Sequence, residues 1–348
     1  MASCEESEAV LEYWKYKETH SNVLGPHFLQ TVECAPPEWL PLLIIAIILW
    51  IATCIVSFIS ARRFNSYRWS KTFIFVMSNR IIFYYAVYSL LNVISILNAA
   101  GAVTYQYISD VVEALCFINF YMLIWSYTGG IAPTMKKMMG LELNLGQPPF
   151  CCLRCVPNIR ITESFLRKVE LCMKQLPTVQ FVAGLINVTL IQSGIPAGIT
   201  EHWSTTLLNV IMTISFMVSM WATGTLFACW SQFVVGRSVK AKFAVFKITI
   251  VLAKVQAMVL SFCSSSVKKH GYYTGENRTE MWGAFLVCVE CLLLSIAASF
   301  LYKTSDYDQA HPASIGYKKN DDTVENGMDD LEEVDLGKPS LVLENPNV

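Results

Sequence analysis

Charged side chains are scarce in this sequence. Only 15% of its 348 residues are Asp, Glu, Lys or Arg, whereas soluble domains carry about a quarter. The hydrophobic share is 54%, so the composition predicts an integral membrane protein. Because the formal net charge is -1, the chain has no overall basic surface of the kind that grips nucleic acid, and no nucleic-acid partner is expected.

The sequence also has little that could carry chemistry. Its five histidines lie outside the apolar stretches and form no His-x-x-x-His pair; they are His20, His27, His202, His270 and His311. It has neither a Walker loop nor a GxGxxG turn, so coupling to a nucleotide is not expected. We therefore expect no enzyme activity, no metal and no cofactor. The first 40 residues show no cleaved signal peptide, because they lack a basic segment followed by a short apolar one.

Seven stretches approach the length of about 20 mostly apolar residues that a helix needs to cross a bilayer. They are Pro41–Ala61, Phe73–Leu97, Val103–Ser126, Pro177–Ile195, Leu207–Trp230, Phe243–Ser265 and Trp282–Tyr302. The fourth is the most polar, since it contains Asn187 and Gln192. The predicted fold is an all-α membrane protein, a bundle of seven transmembrane helices over residues 41–302.

The placement of basic residues predicts the orientation of this bundle, because cationic loops stay in the cytoplasm. Lysine and arginine cluster after the first, third and fifth spans, and the loops after the second and fourth have none. This places residues 1–40 outside, the Cys-rich loop 127–176 in the cytoplasm, and residues 303–348 inside as a disordered acidic tail. The loop after the sixth span is then outside and holds Asn277 in a glycosylation sequon. We expect residence in the plasma membrane, reached through the endoplasmic reticulum and Golgi.

Few polar or ionisable residues fall within the predicted spans. Such groups are costly at membrane depth and tend to face a bundle interior or a wet cavity. The candidates for a substrate path are Asp110, Glu113, Lys247, Lys254, Gln256 and Glu290. Lys254 and Glu290 lie near the middle of consecutive spans, so an ion pair between them is expected. These charges either hold helices together or line a path for an amphipathic anion, and both interpretations stay open here.

A cluster of cysteines lies in the predicted cytoplasmic loop, at Cys151, Cys152 and Cys155. A tetrahedral metal site needs four ligands; the loop adds only Cys172 and has no histidine, so a metal site is disfavoured. Cysteines beside the inner face of a membrane are typical palmitoylation sites. Palmitoylation of these three residues is the favoured interpretation, and unmodified thiols are the alternative.

Several motifs together identify a family. They are PPFCCLRCVP in the loop, Asp110, Glu113, Asn119 and Phe120 followed by Gly129 and Gly130, KFAVFK at Lys242–Lys247 followed by Gln256, and Cys288 with Glu290. In order and spacing, residues 40–305 resemble the alpha subunit of the organic solute transporter, within the family that also contains the transmembrane-184 proteins.

The resemblance implies a facilitative transporter with seven spans that carries bile acids, steroid conjugates and similar amphipathic organic anions. It also implies assembly with a single-span beta-type subunit and acylation of the cysteine cluster. Asp110, Glu113, Lys247 and Glu290 would be family positions. Membrane lipids, including a bound lipid or sterol, and a homo-oligomer are compatible with this picture.

Two other classes of function remain. The first is a membrane scaffold or trafficking factor that moves no solute. The second is a receptor of the G-protein-coupled kind, which the sequence disfavours because the third span ends in WSYTGG without a DRY-like triplet and the seventh has no NPxxY.

Overall fold

Long apolar segments with few breakers form long helices in the computed structural model of the chain. The structure describes residues 12, 15, 35–65, 73–127, 131–143, 146, 158–192, 199–230, 239–264, 266–268 and 270–302. The helices of the described residues from 35 onward are α1 (Trp39–Asn65), α2 (Phe73–Leu97), α3 (Ala102–Tyr127), α4 (Ile131–Met138), α5 (Glu163–Gln192), α6 (Ile199–Trp230), α7 (Val239–Ser264) and α8 (Gly275–Leu301). Cys151, Cys152, Cys155 and the acidic tail lie outside the described residues.

Six of these helices are long and apolar enough to cross a membrane, namely α1, α2, α3, α6, α7 and α8. They contain six of the seven predicted spans, which confirms the helical bundle in its coarse form. The fourth predicted span falls in α5, which is less apolar because it carries Gln180, Asn187 and Gln192 and is interrupted by Pro177. The count of seven spans and the orientation of the two ends therefore stay predictions.

Several of the long helices expose apolar side chains, as a surface in contact with lipid requires. Every third or fourth residue along α1 is exposed: Leu40, Ile44, Ile48, Ile51, Ile55 and Phe58. On α7 the exposed set is Ile248, Val251, Leu252, Val255, Met258, Val259 and Phe262. Contiguous apolar surface of this extent is rare on monomeric soluble proteins, so the exposed stripes support an integral membrane protein.

The long helices contact one another in pairs. α2 contacts α1, α3 and α8; α8 contacts α1 and α7; α5 contacts α3 and α6. Small hydroxyl side chains join the first of these groups: buried Ser57 of α1 donates to the Ile82 carbonyl oxygen at 3.2 Å and lies 3.4 Å from the Ser295 hydroxyl. Small residues at helix contacts let the backbones approach closely in a membrane.

The loop predicted at 127–176 is in part regular structure. It contains α4 and two short strands, β1 (Glu142–Leu143) and β2 (Ile159–Arg160), which pair antiparallel. Helix α5 begins at Glu163, inside the predicted loop and before its own apolar part. The cytoplasmic placement of residues 127–176 stays a prediction. Thr162 accepts a hydrogen bond from the Phe165 amide at 3.3 Å, which supports the first turn of the helix.

At the predicted outer end, an ion pair joins the start of α1 to the start of α8. Arg278 Nε donates to Glu38 Oε1 at 2.8 Å, and its Nη1 donates to the Lys268 carbonyl oxygen at 2.8 Å. The Trp39 indole also donates to the Ile96 carbonyl oxygen at 3.0 Å. These contacts connect α1, the end of α2 and the loop between α7 and α8.

Candidate functional site

Lys254 forms the centre of a charged cluster between α3 and α7. Its Nζ donates to Asp110 Oδ1 at 2.8 Å and lies 3.7 Å from Glu113 Oε2. The exposed fractions of the three side chains are 43% for Lys254, 17% for Asp110 and 6% for Glu113. Lys254 Nζ also lies 5.6 Å from the centre of the Phe216 ring of α6, within cation–π range.

The distance of each residue from the end of its helix explains why Lys254 pairs with Asp110 and Glu113. At 1.5 Å per residue, Lys254 lies about 15 Å from the end of α7, while Asp110 and Glu113 lie about 12 Å and about 16 Å from the start of α3. Glu290 lies about 22 Å from the start of α8. Because α3 and α8 begin at the end of the bundle where α7 finishes, the α3 carboxyl groups are level with Lys254 and Glu290 is deeper. The predicted Lys254–Glu290 pair is therefore wrong.

A cavity of about 260 Å³ adjoins the cluster on the side of α2, α3, α7 and α8. Asp110 and Lys254 line it, together with Gln256 and the Tyr88 and Tyr105 side chains. The cavity extends toward the predicted outer ends of α7 and α8, since Ser264 and Glu276 also belong to its wall. The cavity wall therefore carries one cation, aromatic rings, neutral polar groups and the carboxyl groups of Asp110, Glu276 and Glu280.

The predicted path residues divide into those that the structure brings together and those that it does not. Asp110, Glu113 and Lys254 form the cluster, and Gln256 lies beside it, where its Nε2 donates to the Gly283 carbonyl oxygen at 2.9 Å. Lys247 lies two turns nearer the start of α7 than Lys254, with its Nζ 5.8 Å from the Phe243 ring. Glu290 is half-buried in α8 and, like Lys247, is not among the residues lining the cavity.

Sequence reasoning missed three polar residues near the cluster. Glu276 and Glu280 lie one turn apart on α8 and line the cavity, but the seventh span was predicted to begin at Trp282. An acidic residue such as Glu276 shortly before an apolar run would have indicated an earlier helix start, because Asp and Glu are enriched in the first turn of helices. Gln180 of α5 lies beside Glu113 and Lys254. Because Gln180 is a polar residue within the most polar predicted span, its position in the sequence could have indicated that it faces another helix.

Stacked aromatic rings fill the space between α3, α6 and α7 below the cluster. Phe120 stacks on Phe246 with ring centres 4.4 Å apart, and Phe227 stacks on Phe243 at 3.8 Å. Phe117 lies 5.3 Å from Phe246 and also borders the small void beneath Lys254. The cavity therefore lies in the half of the bundle nearer the predicted outside, and these aromatic pairs lie between α3, α6 and α7 in the other half.

The predicted glycosylation sequon begins in the first turn of α8. The backbone nitrogen of Asn277 donates to the Thr274 hydroxyl at 3.0 Å. That hydroxyl in turn donates to the side-chain Oδ1 of Asn277 at 2.7 Å. Thr279 is buried and donates to the Gly275 carbonyl oxygen at 2.7 Å. The Asn277 side chain contacts the N-cap residue Thr274, the Thr279 side chain bonds the first turn of the helix, and glycosylation at Asn277 stays a prediction.

Comparisons with known proteins agree on one family. The family model described as organic solute transporter Ostalpha matches residues 42–307. The chain is 21% identical to the organic solute transporter subunit alpha of Bos taurus over 198 residues, which cover 56% of this chain and 58% of that protein. For the same subunit of Homo sapiens it is 21% identical over 211 residues, covering 59% and 60%.

The subunit of Mus musculus gives 21% identity over 200 residues, covering 56% of this chain and 58% of that protein. The chain thus spans about three fifths of the length of the curated relatives it matches. No solved structure matches this chain.

Proposed function

This chain belongs to the organic solute transporter Ostalpha family, and from that premise we propose that it is a subunit of a facilitative transporter for amphipathic organic anions. Bile acids, steroid conjugates and related lipids are the proposed substrates, and the plasma membrane is the proposed location. The family is one of solute transporter subunits and not of enzymes. Transport driven by the substrate's own gradient fits a sequence without a nucleotide-binding loop.

The observation that carries this proposal is a lysine on the wall of a cavity at membrane depth. An ionised group there is costly and is typical of a solute path. Although Lys254 is paired with Asp110, its side chain remains 43% exposed and lines the cavity, which supports contact between Lys254 and an anionic head group in the cavity. The aromatic and apolar wall residues, including Tyr88, Tyr105 and Leu260, offer surface for a rigid apolar body.

A chain with seven spans is part of the same proposal, with α5 as the fourth. α5 has 30 residues, and the 18 that follow Lys174 carry no charged side chain and extend about 27 Å, close to the roughly 30 Å of hydrocarbon. Its second half exposes Phe181, Val182, Leu185 and Ile186, as lipid contact requires. Its polar Asn187 is buried and donates to Asn209 Oδ1 of α6 at 3.1 Å. Polar side chains that face a neighbouring helix are tolerated in a span.

We further propose a single-span beta-type subunit as the partner. The relatives are named as alpha subunits, and a subunit name implies an assembly for those proteins. Acylation of Cys151, Cys152 and Cys155 is proposed on the sequence alone, because these residues lie outside the part of the chain that the structure describes.

Uptake of a labelled steroid sulfate into cells that express this chain tests the proposal. We expect uptake only when a beta-type subunit is co-expressed, and we expect Lys254→Met to reduce it at least tenfold, which corresponds to about 1.4 kcal/mol. The matched control is Lys174→Met, which removes an exposed lysine that pairs with Glu170 within α5 and leaves uptake unchanged. Absence of uptake with either subunit combination, with the chain present at the cell surface, would show that the proposed transport is wrong.

A further inference from the structure

The charged cluster contains one cation and two carboxyl groups. Lys254 lies within ion-pair distance of both Asp110 and Glu113, at 2.8 Å and 3.7 Å. A single ammonium balances a single carboxylate, so a cluster with both acids ionised has one excess negative charge. Glu113 is the more deeply buried acid, with only 6% of its side chain exposed. An uncompensated charge at such a position is strongly unfavourable.

Glu113 also lacks hydrogen-bond donors. Among the described residues, neither of its carboxyl oxygens has a hydrogen-bond partner, and the same holds for Oε1 of Gln180. Glu113, Gln180 and Lys254 line one void of about 10 Å³ between α3, α5, α6 and α7. Two acceptors that face one void need a donor between them. Rotating the Gln180 amide would supply a donor but would leave the excess charge.

The charged and titratable groups around Glu113 show which of its neighbours could balance its charge. On its own helix lie Asp110 and Cys116, and on α2 Tyr84 and Tyr88 lie within electrostatic range of it. From α7 comes Lys254. Glu290 of α8 lies within electrostatic range of Tyr88. The remaining walls of the void are neutral, with Leu176 and Gln180 from α5 and Phe216 from α6. Lys254 is thus the cation that these helices bring to the two acids.

We propose that Glu113 is a proton-binding site, and that passage of an anion at Lys254 requires its proton. The bound proton forms an O–H bond to one carboxyl oxygen, removes the excess charge and supplies the missing donor toward Gln180. An anion that enters the cavity then meets Lys254 with one ionised partner, Asp110, within ion-pair distance. When Glu113 releases its proton to the aqueous phase, the added negative charge holds Lys254 and repels the anion. Uptake therefore falls as the pH rises.

This inference rests on the proposed transport, so one of its tests is independent of uptake. Infrared spectra of the purified full chain in lipid bilayers report the C=O stretch of protonated carboxyl groups. We expect a band that disappears in Glu113→Gln and persists in the control Glu163→Gln, which alters an exposed carboxyl group at the start of α5. A band absent at every pH, or one that Glu290→Gln removes and Glu113→Gln does not, would overturn the proton site.

The second test is the pH dependence of steroid-sulfate uptake by the chain with its beta-type partner in liposomes. Wild-type uptake falls by up to about tenfold per pH unit above the transition, the limit for one titrating group. Glu113→Gln, which resembles the protonated acid, transports without this pH dependence, while Glu163→Gln keeps it.

Glu113→Asp retains an acid and shifts the midpoint of the profile, so the site stays testable if Glu113→Gln does not fold. A Glu113→Gln variant that transports with the wild-type pH profile would overturn the inference. If wild-type protein shows the infrared band but transports nothing at any pH, the proton site stands and the proposed transport is wrong.

Discussion

Lys254 can balance the charge of one carboxylate, yet two carboxyl groups lie beside it. Asp110 lies 2.8 Å away and borders the larger cavity, whereas Glu113 lies 3.7 Å away and borders the small void. The two acids are three residues apart on α3 and therefore share one face of that helix. The lysine thus borders both a cavity of about 260 Å³ and a void of about 10 Å³.

A double-mutant cycle at Lys254 and Asp110 separates pairing from solute contact. Lys254→Met leaves the Asp110 carboxylate without its cation, and we expect it to lower the free energy of unfolding by about 1–3 kcal/mol, less than for a fully buried pair. Lys254→Met with Asp110→Asn is less destabilised than Lys254→Met alone, because no charge is stranded. These differences in stability are measured by thermal unfolding in detergent, which exposes the buried cysteines to a thiol-reactive dye. The buried cysteines include Cys116, Cys229, Cys288 and Cys291.

The matching control combines Lys254→Met with Glu290→Gln. Since Glu290 lies deeper than Lys254 and forms no ion pair within the described residues, the effects of these two changes add. Rescue of Lys254→Met by Glu290→Gln would contradict the observed pairing.

The helices differ in how well their bounds could be predicted from their own sequences. α2 has the predicted bounds, and α1, α3 and α7 extend beyond the predicted span by a few residues at most. These segments are predominantly apolar, so their length follows from local composition. α5 and α8 begin earlier than the predicted spans, at Glu163 and Gly275, because polar first turns can be helical without being apolar. Sequence periodicity could not separate such turns from loop.

The start of α8 depends on a glycine that permits close approach of α7. A Cβ atom at Gly275 would lie 2.8 Å from the Ser264 carbonyl oxygen and closer still to that of Val267. Both atoms belong to the backbone and cannot rotate away. We expect Gly275→Ala to destabilise the protein by about 1–3 kcal/mol, as overpacking does, in the same thiol-dye measurement.

Gly184 in the interior of α5 is the matched control. A Cβ atom there would meet Tyr107 Cβ at 3.5 Å, an ordinary contact. Gly184→Ala is therefore neutral or stabilises by up to about 1 kcal/mol, the helix preference of alanine over glycine. Equal destabilisation by both changes would show that the approach at Gly275 is not the cause.

At the scale of the whole molecule, α5 decides on which side of the membrane the two ends lie. Six spans would leave both ends of the chain on one side, and seven would leave them on opposite sides. The exposed apolar side chains of α5 and its buried contact with α6 favour seven. The basic residues before it, at Arg167, Lys168 and Lys174, are typical of a cytoplasmic start.

Epitope tags on the two ends test this count. In intact cells we expect an antibody to reach a tag before Met1 and to reach a tag after Val348 only once the membrane is permeabilised. A third tag at Lys268, in the loop between α7 and α8, is expected to behave like the first and controls for surface delivery. Tags on the two ends that become accessible together would mean that α5 does not cross the membrane.

The sequence by itself determined the membrane environment, the position of six long helices and the small set of polar residues within them. These properties follow from local composition and helical period. Only the tertiary structure decided that Lys254 pairs with Asp110 and Glu113 and not with Glu290, and that Gln180 borders Glu113. The partners of a buried charge depend on which helices are neighbours, how each is rotated and which residues are level. Those relations arise from packing between distant segments, which no local pattern contains.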